Sequence, residues 1–168
     1  MDFVAIDFET TGCEAGQRNE PWQLGAALVA GGEIVEMREW FFRTRERFRP
    51  ETPPATFPAS EADTSLLDAD FLEQWESLAG FLVGRRLVAH NIACERTLLN
   101  RLAPLTPWGP WTDTLKVAKA RYPHRDSYRL GDLCAALGCV PLIAGRTWHD
   151  GLFDAVACAR LALAFGVG

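Results

Sequence analysis

Asp7 and Glu9 stand two residues apart in FVAIDFETTG, Glu95 interrupts the apolar side of AHNIACERTLL, and His149 precedes Asp154 by five residues in HDGLFDA. On an extended strand a spacing of two sends both side chains to one face, so Asp7 and Glu9 project together near the end of FVAIDF. Two such carboxylates repel each other, and burying them is costly unless a cation lies between them. A divalent metal ion meets that need. The alternative is a pair of solvated acids at a strand end, with Glu9 bonded to the Thr10-Thr11-Gly12 turn.

Glu95 raises a different question. In a helix, Ile92, Leu98, Leu99 and Leu102 recur at spacings of three and four, and Glu95 lies among them, while Arg96, Asn100 and Arg101 take the polar side. The carboxylate therefore points inward. A capping box does not account for it, because with Asn91 as the cap the third helical residue is Cys94. The helix macrodipole favours an acid in the first turn but does not explain its apolar side. Asp154 heads a stripe with Cys158, Leu161 and Phe165, and Leu152, Val156, Ala159 and Leu163 form another, so that helix is apolar nearly all round and its acid is buried and in need of a partner. His149 sits beside it, on a segment that Gly151 makes flexible, and reads as a functional imidazole. His90, just before the middle helix, and His124, in a loop, read as structural.

Elements must bring these groups together. FVAIDF has apolar residues on both faces, as a central strand covered by helices requires, and it ends at the Thr10-Thr11-Gly12 turn. WQLGAALVA and EIVEMREWFFR, joined at Gly31-Gly32, form a hairpin. Residues 49–68, rich in proline and small polar residues, form a long surface loop. Then come the helix ADFLEQWESLAGFLVG, the strand RLVAH, a helix beginning near Asn91, a Pro/Trp-rich break, a helix opening at Asp113-Thr114 with Asp113 as its cap, another in SYRLGDLCAALG, and a last from about Asp150. Strands first and alternation later make an α/β domain with a mixed sheet.

Composition narrows the class. The 168 residues are 48% hydrophobic, enough for one domain with a sizeable core, expected to span residues 1–168. No run is long and apolar enough to span a membrane and the start is acidic, so a cytoplasmic location without membrane contact is expected. Five scattered cysteines (Cys13, Cys94, Cys134, Cys139, Cys158) suggest neither a disulfide framework nor a zinc site. A net charge of −5 excludes coating of nucleic acid by bulk electrostatics, though not a local basic groove or bound metal.

DFETTG, AHNIACE and HDGLFDA, in this order and with TDTLKVAKARYP and SYRLGDLCAALG between the last two, resemble the DnaQ-like, or DEDDh, family of 3′-to-5′ exonucleases. The resemblance covers most of the chain outside residues 13–70. It implies an RNase H-like fold, a five-stranded mixed sheet flanked by helices, and release of nucleoside monophosphates from 3′ ends of single-stranded DNA or RNA with two divalent ions, Mg²⁺ or Mn²⁺. It further implies Asp7, Glu9, Glu95 and Asp154 as metal ligands and His149 as general base. The family usually has aspartate where this chain has Glu95.

Such chemistry suits these residues. Hydrolysis of a phosphodiester needs an activated water, neutralised phosphoryl charge and a stabilised leaving oxygen, which a two-metal site provides, and hard cations prefer carboxylates. Asp7 would bridge the two ions, Glu9 and Asp154 would hold the one near the attacking water, and Glu95 would reach the other. Imidazole accepts a proton near neutral pH. Thr10, Thr11 and Gly12 offer hydroxyls and N–H groups to the terminal nucleotide, and Phe8 and Trp22 either stack on bases or pack. Lys116, Lys119, Arg121, Arg125 and Arg129 read as a solvated face. A second copy of the chain or a polymerase is a candidate partner. The alternatives are a weak or inactive relative that binds nucleic-acid ends, and an aspartyl phosphatase, which Glu9 and His149 fit poorly.

Overall fold

The computed structural model describes residues 2–12, 19–59 and 62–167. A five-stranded sheet in the order β3-β2-β1-β4-β5 forms its centre. β1 (Phe3–Thr10) pairs antiparallel with β2 (Pro21–Ala30), and β2 with β3 (Glu33–Phe41), while β4 (Arg86–Ala89) and β5 (Trp111–Asp113) continue parallel on the other side of β1. The sheet is therefore mixed and helix-flanked, in the RNase H-like arrangement expected. The hairpin turn falls at Gly31 and Gly32, whose φ angles of +61° and +87° suit glycine.

Alternation along β1 decides what each face meets. Val4, Ile6 and Phe8 enter a core with α1 (Trp75–Leu82) and α2 (Ala93–Leu102), through Leu78, Phe81, Leu82, Leu98 and Leu99. Phe3 and Ala5 meet Leu152, Val156, Ala159 and Ala162 of α5 (Gly151–Ala164) on the opposite face. The outer side of α5, with Ala157 and Leu161, packs against Ala118 of α3 (Thr114–Arg121) and Leu133 and Cys134 of α4 (Leu130–Ala136). Sheet on one side and helices on the other explain why α5 is apolar nearly all round.

The start of α5 comes unusually near the sheet. A Cβ on Gly25, in β2, would lie 2.1 Å from the carbonyl carbon of Gly151, and one on Gly151 would lie 3.1 Å from the backbone oxygen of Asp7. Backbone meets backbone here, and only glycine allows it. Gly151 is buried in the first turn, so the flexibility expected of it is corrected: it permits close packing.

Several boundaries differ from expectation. β1 runs through Thr10, which pairs with Pro21 beyond a bulge, so the turn starts at Thr11. α1 begins at Trp75 and not near Ala69, because Asp70 accepts the N–H groups of Leu72 and Glu73 and closes a separate turn there. Thr64–Leu66 form a short 3-10 turn capped by Asp63 inside the long loop. A short strand, β5, starts at the last residue of the Pro/Trp-rich break and ends at Asp113. Cys134, Cys139 and Cys158 are buried thiols, Cys94 is exposed, and Cys13 lies outside the described residues. Among the described residues no helix is long and apolar enough to cross a membrane.

Gly25→Ala should destabilise the fold by about 3 kcal/mol or more, since the added methyl meets backbone that cannot rotate away. Gly80→Ala, in α1 with nothing within 4 Å of its would-be Cβ, should stabilise by about 0.5–1 kcal/mol. Thermal or urea unfolding of the two variants tests the contrast.

Candidate active site

Three elements converge at the C-terminal end of β1. Asp7 and Glu9, both half-buried, stand opposite Gly25 and Gln23 of β2. Asp154 comes from the first turn of α5, and Glu95, only 5% exposed, from the first turn of α2. His149 is exposed just before α5, at a left-handed φ of +67°, and its backbone N–H donates to Asp154 Oδ2 at 3.2 Å. Glu9, His149 and Asp154 each offer one ligand atom within 4.8 Å of the others. Asp154, expected to be buried, is half-buried at the edge where Glu9 and His149 meet it.

The start of α2 corrects the placement of its cap. Asn91 has φ +70°, a conformation asparagine tolerates, and the cap position falls to Ile92 without a side-chain bond. Glu95 is thus the third helical residue. The Asn91 N–H donates to Asp113 Oδ1 at 3.0 Å, and the same oxygen accepts from Leu115 N at 3.0 Å, so Asp113 caps α3, as expected, and also fixes the approach to α2. His90 bridges Thr114 Oγ1 (2.9 Å) and the Tyr128 carbonyl (2.8 Å), and its role is structural.

The acids are held against their own repulsion. Burial pushes the Asp7 carboxyl well above its ordinary range, and the charges of Asp154, Glu95 and Glu9 push it further. Glu9 is raised to about 7 by burial and then by Asp154 and Asp150. Glu95 reaches about 7 through burial and Asp113, against the pull of its own backbone N–H. Asp154 reaches about 6 through burial, opposed by the His149 N–H. Two buried oxygens, Glu95 Oε2 and Asp154 Oδ1, have no hydrogen-bond partner among the described residues. Unpaired buried carboxylate oxygens in a mutually repelling cluster fit a hard divalent cation.

Sequence reasoning missed a second polar group beneath this cluster. Asp150 caps α5, accepting from Leu152 N at 3.0 Å and Phe153 N at 3.4 Å. Gln23 donates to Asp150 Oδ1 at 3.1 Å and accepts from Gly151 N at 3.1 Å, and Arg146 links Asp150 to Glu39 of β3. An Asp-Gly pair opening an apolar helix signalled the cap; its partners carried no local signal.

The expected substrate contacts divide. Phe8 is 7% exposed within the core on the opposite face of β1, so its proposed stacking is corrected: alternation turns its side chain away from Asp7 and Glu9. Trp22 is likewise buried, among Phe41, Phe48 and Phe57. Thr10 and Thr11 are half-buried beside the cluster and Gly12 is exposed at φ +83°. Thr11 Oγ1 accepts from Glu20 N at 3.1 Å. Of the basic residues, Lys116, Lys119, Arg121 and Arg129 are exposed and Arg125 is half-buried, as a solvated face requires.

Similarity to known proteins bears on the family and the fold. A family model described as exonuclease, of the RNase T type, matches residues 4–162. A PolC-type DNA polymerase III from Mycoplasmopsis pulmonis is 29% identical over 156 residues, which cover 89% of this chain and 11% of the polymerase. This chain thus spans about a tenth of that relative. Among solved structures, the nuclease domain of 3′hExo, a DEDDh family member bound to rAMP, gives a TM-score of 0.71 at 18% identity, over 96% of this chain and 90% of that one. Exonuclease X in complex with 5′ overhanging duplex DNA gives 0.69 at 23% identity, over 97% and 90%.

Carboxylates whose folded pKa is raised contribute stability that is full below their unfolded values and is lost as pH rises through the folded ones. For Glu9, Glu95 and Asp154 that window runs from about 4 to about 7. In the absence of divalent ions, the thermal midpoint of the wild type should therefore fall more steeply across this window than that of Glu95→Gln. Mn²⁺ should raise the midpoint at about pH 7.5 and do little at about pH 4.5, where the acids hold protons. Calorimetric melts at the two pH values, with and without Mn²⁺, measure both effects.

Proposed function

Because the chain belongs to the RNase T-type exonuclease family, as its DnaQ-like motifs imply, we propose that it removes nucleoside monophosphates stepwise from the 3′ ends of single-stranded DNA or RNA. The observation that carries this is the convergence of Asp7, Glu9, Glu95 and Asp154, from three separate elements, on one cluster with unpaired buried oxygens and His149 at its edge. Nothing in the packing of the fold itself calls for four mutually repelling acids.

In this proposal Asp7, Glu9, Glu95 and Asp154 would hold two divalent ions, Mg²⁺ or Mn²⁺, which when bound would lower the pKa of a water and neutralise phosphoryl charge. His149 takes the proton of the attacking water. Its contact to Asp154 is made by the backbone N–H, so the imidazole is not engaged in that bond. Thr10, Thr11 and the Gly12 N–H receive the terminal nucleotide, with Phe8 contributing backbone alone. A polymerase as partner, or as the remainder of a longer polypeptide, is supported by the PolC-type relative.

Single-stranded DNA and short RNA, each labelled at either end, should with Mg²⁺ or Mn²⁺ shorten from the 3′ end and release mononucleotides. Asp7→Asn and Asp154→Asn should each lower kcat by about a thousandfold or more without lowering the thermal midpoint, since an acid is removed from a repelling cluster. Shortening from the 5′ end would reverse the polarity. Retained metal and end binding without product would favour a binding module.

Glu95→Asp should lower kcat by about tenfold to a hundredfold. Asn91 and Asp113 fix where α2 begins, so a side chain shorter by about 1.5 Å loses reach that the backbone cannot restore. A rate equal to or above that of the wild type would remove Glu95 from the proposed set.

A further inference from the structure

Arg146 lies outside the acid cluster, and its burial falls between those of the two acids it touches. Its side chain is 8% exposed, against 5% for Asp150 and 18% for Glu39. Nη1 donates to the two Asp150 oxygens at 2.9 and 3.0 Å and to Glu39 Oε2 at 2.9 Å. Nη2 donates to Glu39 Oε1 at 2.6 Å and to Thr56 Oγ1 at 2.8 Å. One guanidinium thus joins β3, the proline-rich loop and the residue that lies between His149 and Gly151.

A surface ion pair of this kind would contribute little. Burial changes that, because removing one partner leaves the other charge unsolvated. Asp150 is bonded from three directions, by Arg146, by Gln23 and by the first N–H groups of α5. His149 directly precedes it, at a φ of +67° that residues bearing a Cβ seldom adopt. Asp150 is also tied directly to the acid cluster, its backbone carbonyl accepting from the Asp154 N–H at 2.9 Å.

We infer that Arg146 is a positioning residue for hydrolysis: by gripping both oxygens of Asp150 against Glu39 it sets how His149 and Asp154 leave the first turn of α5. It also cancels the charge of a carboxylate that bears on the cluster without belonging to it. The role rests on the hydrolytic function proposed above, and the planar fork of arginine is suited to it as an ammonium is not.

The test compares Arg146→Met, Arg146→Lys and Arg146→Met/Asp150→Asn with the wild type. It uses kcat and KM on single-stranded DNA, Mn²⁺ affinity by titration calorimetry in the absence of nucleic acid, and circular dichroism to follow the helices. In Arg146→Met, kcat should fall about tenfold to a hundredfold with KM within about twofold, while Mn²⁺ binds about two- to tenfold more tightly because Asp150 is left uncompensated. Slower turnover with tighter metal is not what general loosening of the site would produce. Asp150→Asn in that background should return Mn²⁺ affinity to the wild-type value, since asparagine still caps. Arg146→Lys should restore the affinity but only part of kcat.

An Arg146→Met kcat within twofold of wild type overturns the inference, and so does Mn²⁺ affinity that falls together with kcat. If Arg146→Met does not fold, Glu39→Gln, which loosens the fork while leaving Asp150 paired, should lower kcat with KM held, and an unchanged kcat there overturns it. If the wild type hydrolyses nothing, the functional proposal fails and Mn²⁺ affinity alone judges Arg146: tighter binding restored by Asp150→Asn supports it, and unchanged binding overturns it.

Discussion

The fold depends on one close contact, that of the Gly25 backbone with the Gly151 backbone. Gly25 stands opposite Asp7 in the register of β1 and β2, and Gly151 stands three residues before Asp154. Bringing those two glycines together sets the distance between the strand that carries two acids and the helix that carries a third. Any side chain at Gly25 would lift α5 from the sheet. The apolar sides of α5 then hold it there, since each has its own partner layer.

That rigidity is what lets the chain keep four carboxylates close. Left to themselves, these groups would move apart or into water, and each loses solvation where it is. Asp7 is fixed by a strand bonded on both edges, Asp154 and His149 by a helix start secured by Gln23 and Asp150, and Glu95 by a helix start secured through Asp113. The cluster is an imposed arrangement, and the surrounding hydrogen bonds do the imposing.

Much of this is legible in sequence because it obeys short periods. Asp7 and Glu9 follow the period of two, and Glu95 and Asp154 stand out against helical apolar stripes. Where local periods fail, so does legibility. β5 has three residues, too few for a pattern, and it exists because β4 offers it an edge. Phe8 shares a motif with Asp7 and Glu9 but takes the opposite face, which proximity in sequence conceals. The group formed by Gln23, Glu39, Arg146 and Asp150 joins residues 107 and 127 positions apart, and none of them departs from what a surface residue would look like. Asn91 looks like an ordinary cap in sequence, while its left-handed backbone goes with a bond to Asp113, a residue of another strand.

The order of the elements along the chain has a temporal consequence. Asp7 and Glu9 lie among the first ten residues, Glu95 past the middle, and His149 and Asp154 on an element that is synthesised after all five strands. A growing chain that has made its whole sheet still lacks α5, and with it one wall of the core and two of the five groups at the site. The cluster can therefore be complete only once α5 has been made and has packed on the sheet.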